Sequence, residues 1–166
     1  MADAIGAGRL VERKPVRPLA NHVRHIFVTE MANNILDGKD ISLGFPAPAA
    51  DATMGRFMSG QLITVSRKSA EEVDLEQLEN VDDVWVLCFR KPPPGWRLLG
   101  RFAYQDAFIG LHPYDRNELD GRPTYTAIAN GVITEWKQII GDVAPLRSSN
   151  LGDYLTGVIY DADIES

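Results

Sequence analysis

Arg97, Arg101, His112 and Tyr114 stand in one short stretch, "GWRLLGRFAYQDAFIGLHPYDR", and their types suit one chemistry. A guanidinium offers a planar fork of donors that matches a phosphate. An imidazole gives or takes a proton near neutral pH, and a phenol can donate one, or accept one if its pKa is depressed. Such a set suffices for metal-free cleavage of RNA. One group deprotonates the 2′-hydroxyl, guanidiniums stabilise the charged phosphorane, and another group protonates the leaving oxygen. Arg90, Lys91 and Arg116 flank the set as substrate contacts, and Trp96 or Phe108 offers a ring on which a base could stack.

These side chains need strands to bring them together. With Gln105-Asp106 as a two-residue turn, Tyr104 pairs with Ala107. Counting outward, Ala103 falls opposite Phe108, Arg101 opposite Gly110, Leu99 opposite His112 and Arg97 opposite Tyr114. Leu98, Gly100, Phe102, Tyr104, Ala107, Ile109 and Leu111 then share the other, apolar face. Across the "PPPG" loop, pairing Lys91 with Trp96 sets Arg90 opposite Arg97, Cys88 opposite Leu99 and Val86 opposite Arg101. Arg90 against Arg97 calls for an anion or a carboxylate between them.

The rest of the chain supplies a frame. Residues 1–16 lack periodicity and read as a mobile arm, and residues 17–166 as a single domain. "RPLANHVRHIFVTEMANNILDG" predicts a helix, with apolar residues at helical spacing and Gly38 as its stop. His22 and His25 lie three apart on that helix, but no Asp, Glu or Cys joins them within a turn, so a polar flank is the expectation and no metal is expected. "DISLGFPAPAADATMGRF" predicts a loop and "QLITVSRK" a strand. "SAEEVDLEQLEN" carries Ser69 and Glu72 in capping-box spacing, predicting a short acidic helix. "DVWVLCFRK" is apolar on both faces, as a central strand should be. "RPTYTAIANGVITEWKQIIG" predicts a closing helix, and "LTGVIY" a weak last strand. The expected fold is α+β: an antiparallel meander sheet of about four strands packed against an N-terminal and a C-terminal helix.

Composition narrows the setting. Cys88 is the lone cysteine, so no internal disulfide or multi-cysteine metal site can form. No apolar run reaches the ~18 residues a membrane helix needs, and "MADAIGAGRLVERK" lacks a signal-peptide core. A cytoplasmic protein without membrane attachment is expected. The net charge of −6 argues against bulk attraction to nucleic acid. The charge is uneven, though, because Trp85 to Arg116 holds five bases (Arg90, Lys91, Arg97, Arg101, Arg116) against Asp106 and Asp115.

Over roughly Gln61 to Ile140 the chain resembles the RelE/ParE-like toxin superfamily of bacterial toxin–antitoxin systems, in "DVWVLCF", "GWRLLGRF" and "AFIGLHPYDR" followed by a closing helix. The resemblance implies a ribonuclease acting on mRNA, often on the ribosome, with Arg97 as the strand arginine and His112 as the strand histidine. It also implies Tyr114 as the family aromatic and Arg116 as one of a basic pair, although Asp115 stands where that pair would begin. The leading expectation is therefore a metal-independent endoribonuclease or RNA-binding toxin-like protein, with RNA or an antitoxin-like protein as partner and no cofactor. The alternatives are a non-enzymatic protein-interaction module and a small anion-binding α+β domain with its anion between Arg90 and Arg97.

Overall fold

The computed structural model describes residues 1–18, 20–68, 72–119 and 122–164, with the side chains of residues 122 and 123 left aside. Along the chain run α1 (Ala2–Gly6), β1 (Val11–Glu12), β2 (His25–Val28), α2 (Glu30–Leu36), a 3-10 turn (Ile41–Leu43) and α3 (Ala47–Met58). Then come β3 (Ile63–Ser66), β4 (Leu75–Gln77), β5 (Trp85–Phe89), β6 (Trp96–Tyr104) and β7 (Ala107–Asp115). A second 3-10 turn (Arg116–Leu119), α4 (Arg122–Ile140), α5 (Leu151–Tyr154) and β8 (Ile159–Asp161) complete it.

Among the described residues, eight strands form one mixed sheet in the order β1-β2-β7-β6-β5-β4-β3-β8. The expected four-strand antiparallel meander is therefore wrong as a description of the sheet. Its centre, β5-β6-β7, is an antiparallel meander, but β2 joins β7 in parallel, and β3 runs parallel to both β4 and β8. Helices cover both faces. Residues of α2, α3 and α5 pack on one face with Trp85, Leu87, Phe89, Leu98 and Phe102. Residues of α1 and α4 pack on the other with Val86, Cys88, Leu99, Ile109 and Leu111. The all-buried pattern of β5 follows directly, since both its faces are covered.

The expected helix from residue 17 onward is largely absent. His25–Val28 is a strand whose side chains alternate: Ile26 and Val28 face α3, while Phe27 faces the α4 side. The helix starts only at Glu30, where the Thr29 hydroxyl accepts from the Ala32 N–H (3.1 Å) and donates to the Leu111 carbonyl (3.0 Å). Conversely, the Pro/Ala tract expected as a loop is mostly helix α3. Its prolines sit at the start, where a missing N–H costs nothing, and its alanines favour helix throughout. The acidic helix expected from Ser69 begins outside the described residues, and Leu75–Gln77 within it is strand β4.

The first sixteen residues, expected as an arm, pack onto the domain. Ala4 and Leu10 are buried, and the Arg13 guanidinium reaches Asn33, Asp37 and Asp51. Fully buried Arg24 donates to the carbonyls of Phe57 (3.2 Å), Gln61 (3.2 Å), Thr156 (2.8 Å) and Val158 (3.3 Å). A buried guanidinium with its donors engaged in this way is a tie between segments rather than a site.

Candidate functional site

Register decides what the central strands present. Arg97 pairs with Tyr114 and Leu99 with His112, as the turn predicts. Beyond that the ladder shifts: Gly100 pairs with Gly110, Arg101 with Ile109 and Phe102 with Phe108, leaving Leu111 and later Ala103 as extra residues. The expected pairs Arg101–Gly110 and Ala103–Phe108 do not form. Two glycines make the shift feasible. A Cβ on Gly100 would lie 2.0 Å from the Ile109 carbonyl oxygen, and one on Gly110 would lie 2.6 Å from Leu98 Cδ2. In consequence Ile109 and Leu111 turn to the α4 side, joining the face on which the cations stand.

The β5–β6 ladder differs from expectation by two residues. Phe89 pairs with Trp96, Cys88 with Arg97 and Val86 with Leu99. Arg90 therefore lies beyond the strand and not opposite Arg97; its guanidinium stands 3.6 Å from the buried Asp74 carboxylate. The bridging anion expected between two arginines loses its basis. Trp96 is also corrected: it is 6% exposed, edge-on to Phe45 at 5.1 Å in the α3-side core, so it cannot stack on a base. Phe108 is fully buried. Lys91 is exposed in the β5–β6 connection, and the Arg116 N–H donates to the Gly95 carbonyl at 2.9 Å.

Arg97, Arg101, His112 and Tyr114 do share one face, the face that α4 covers with Ala129, Val132 and Trp136. Arg101 is 5% exposed, donates to the carbonyls of Asp82 (2.9 Å) and Asp83 (3.4 Å), and lies 5.5 Å from the Trp136 ring centroid. Burial lowers its pKa, with Asp83 and Asp82 acting the other way. Arg97 is half-buried, and its guanidinium donates to the Trp96 carbonyl (3.0 Å).

The His112 and Tyr114 rings lie 4.3 Å apart between centroids, tilted by 38°. Burial pushes the imidazole below its ordinary value, against the Pro113 backbone and Glu118, and His112 Nδ1 has no hydrogen-bond partner among the described residues. Burial pushes the Tyr114 phenol up, and Glu135 and Glu118 push it further. The neutral imidazole and protonated phenol are thus both favoured. Cys88 is no nucleophile for this face, because burial pushes its thiol up to about 12 despite nearby Arg97.

Two further features escape the sequence. Glu12, His22 and His25 come together at the β1–β2 edge, where His25 Nδ1 lies 2.8 Å from Glu12 Oε1, the His22 and His25 rings are 4.5 Å apart, and Lys14 Nζ is 2.7 Å from Glu12 Oε2. A strand reading of "VERK" puts Glu12 and Lys14 on one side, but only the pairing with β2 reveals the histidines as their neighbours. Around α2, Glu30, Met31, Asn34, Ile35, Asp40 and Leu43 line an open groove of about 530 Å³. Met31 is 50% exposed there, and Leu43 is 41% exposed.

No protein-family model, curated protein or solved structure matches the chain. No helix among the described residues is long and apolar enough to cross a membrane.

Proposed function

We propose that the chain is a non-enzymatic interaction module that receives a basic, apolar-faced segment of a partner protein in the groove beside α2. The observation that carries this reading is the groove's make-up. Met31 and Leu43 stand exposed in its wall, and Glu30 and Asp40 line it with them. Clustered exposed apolar side chains mark a binding surface, and a carboxylate rim favours Lys and Arg over nucleic acid. A helix laid in a groove is the recognition mode this shape suits. An antitoxin-like partner would fit the resemblance to the RelE/ParE-like superfamily. Cytoplasmic residence belongs to the same proposal and rests on the single buried Cys88.

A second reading, a metal-independent ribonuclease, has one specific support: Arg97, His112 and Tyr114 lie together, with pKa directions that suit a neutral base and a protonated acid. In it His112 takes the 2′-hydroxyl proton, Tyr114 protonates the leaving oxygen and Arg97 holds the phosphate. Arg101 takes no part, being held by Asp82 and Asp83.

One set of assays separates the two. A synthetic amphipathic Lys/Leu helix should bind the purified protein and its Glu/Leu counterpart should not. The double variant Met31→Asp/Leu43→Asp should weaken that binding at least about tenfold. Unchanged binding in the variant would refute the groove. Cleavage of a defined RNA that disappears in His112→Ala would establish the second reading instead.

A further inference from the structure

We propose that Glu12, His22 and His25 form a binding site for one transition-metal ion of the Zn²⁺ type. The inference is independent of the groove and of the arginine-bearing face. Its basis is geometric: one donor atom from each of the three side chains lies within 4.8 Å of the other two. Around a tetrahedral ion with bonds of ~2.0–2.1 Å, donors sit ~3.3 Å apart, so side-chain rotations on the order of 1 Å complete the set. The backbone already does the larger part of the work. Antiparallel pairing of Val11 with Val28 and Glu12 with Phe27 brings the carboxylate alongside His25. His22 approaches from the segment leading into β2, its ring 4.5 Å from that of His25.

Donor chemistry selects the ion. Two imidazoles and one carboxylate match Zn²⁺, Co²⁺ or Ni²⁺, whereas Mg²⁺ and Ca²⁺ take oxygen donors. His22 is exposed and both partners are part-exposed, so an ion has an open approach and room for water as a further ligand. Lys14 holds Glu12 Oε2 at 2.7 Å while His25 meets Oε1, so the two carboxylate oxygens are already divided between an orienting contact and a ligand position. Bound there, the ion would staple the N-terminal strand to β2 at the sheet edge.

The test uses tag-free, chelator-stripped full-length protein titrated with Zn²⁺ by calorimetry and with Co²⁺ by visible absorption. The expected result is one ion per chain, d–d bands of low-symmetry Co²⁺, and slower hydrogen exchange at the Val11 and Glu12 amides once Zn²⁺ is added. His22→Ala, at an exposed position, should keep the wild-type urea midpoint yet lose affinity at least about tenfold. His25→Ala should lose it as well. Absence of Zn²⁺ and Co²⁺ binding by the wild type would overturn the proposal, leaving a hydrogen-bonded Glu12–His25 pair. Unchanged affinity in both histidine variants would overturn it equally.

Discussion

Arg101→Ala separates a structural arginine from a catalytic one, and the size of the effect can be worked out. Removing the guanidinium leaves the carbonyl of buried Asp83 without this donor, whereas Asp82 is exposed and can recruit water. The buried carbonyl costs about 1 kcal/mol, at the low end of its range because the 3.4 Å bond is long. The cation–π contact with Trp136 contributes about 1 kcal/mol, and the packed methylene stem about 1 kcal/mol more. The sum is about 3 kcal/mol, which for a chain of 166 residues lowers Tm by roughly 6–12 °C. Arg101→Lys keeps charge and stem but not the fork, and should lose about half as much. Arg97→Ala, whose guanidinium among the described residues bonds only its neighbour's carbonyl, should stay within about 0.5 kcal/mol. The assay is thermal and urea unfolding of the three variants in parallel. Arg101→Ala melting within about 2 °C of wild type would refute the reasoning, because residues kept for function commonly cost stability rather than supply it.

Two further outcomes follow from the same packing. Gly100→Ala places a methyl 2.0 Å from a backbone oxygen that cannot rotate away, so β6 and β7 must part. A loss above about 3 kcal/mol is expected, seen as a collapsed urea midpoint, whereas Gly131→Ala on the open side of α4 should gain about 0.5–1 kcal/mol. His112 titrates below its ordinary 6.5 because it is buried, so the unfolded chain binds more protons in mild acid. Its contribution to stability is complete above pH 6.5, falls as pH drops from there toward the lowered folded value, and then levels off. Urea midpoints between about pH 8 and pH 5 should fall more steeply for wild type than for His112→Gln, and parallel slopes would contradict the burial effect.

Much of the centre was legible because period and turn chemistry are local. β5, β6, β7 and α4 show in the sequence, and so does the pairing of Arg97 with Tyr114. Face coverage was legible too, in principle: "DVWVLCF" is apolar on both sides, and the Ala129–Val132–Trp136 stripe needs a partner. Other features depend on information the local pattern does not carry. The apolar spacing through Val23–Phe27 serves a helix or a strand equally, and pairing with β7 decides for the strand. A two-residue change in the β5–β6 register preserves every face, so alternation is blind to it, yet it removes Arg90 from Arg97. The Leu111 bulge reverses Ile109 through contacts between two glycines in different strands. Glu12 meets His25 only once β1 and β2 have paired.

The tie at Arg24 has a consequence for biosynthesis. Two of its carbonyl partners, Thr156 and Val158, lie 132 and 134 positions downstream. A growing chain must therefore carry this guanidinium without those two acceptors until residues 156–158 have been made. Closure comes when Thr156 and Val158 arrive and exchange water for peptide oxygens. Until then the nascent polypeptide has its hydrophobic interior ajar, which is the interval in which a chaperone would find it.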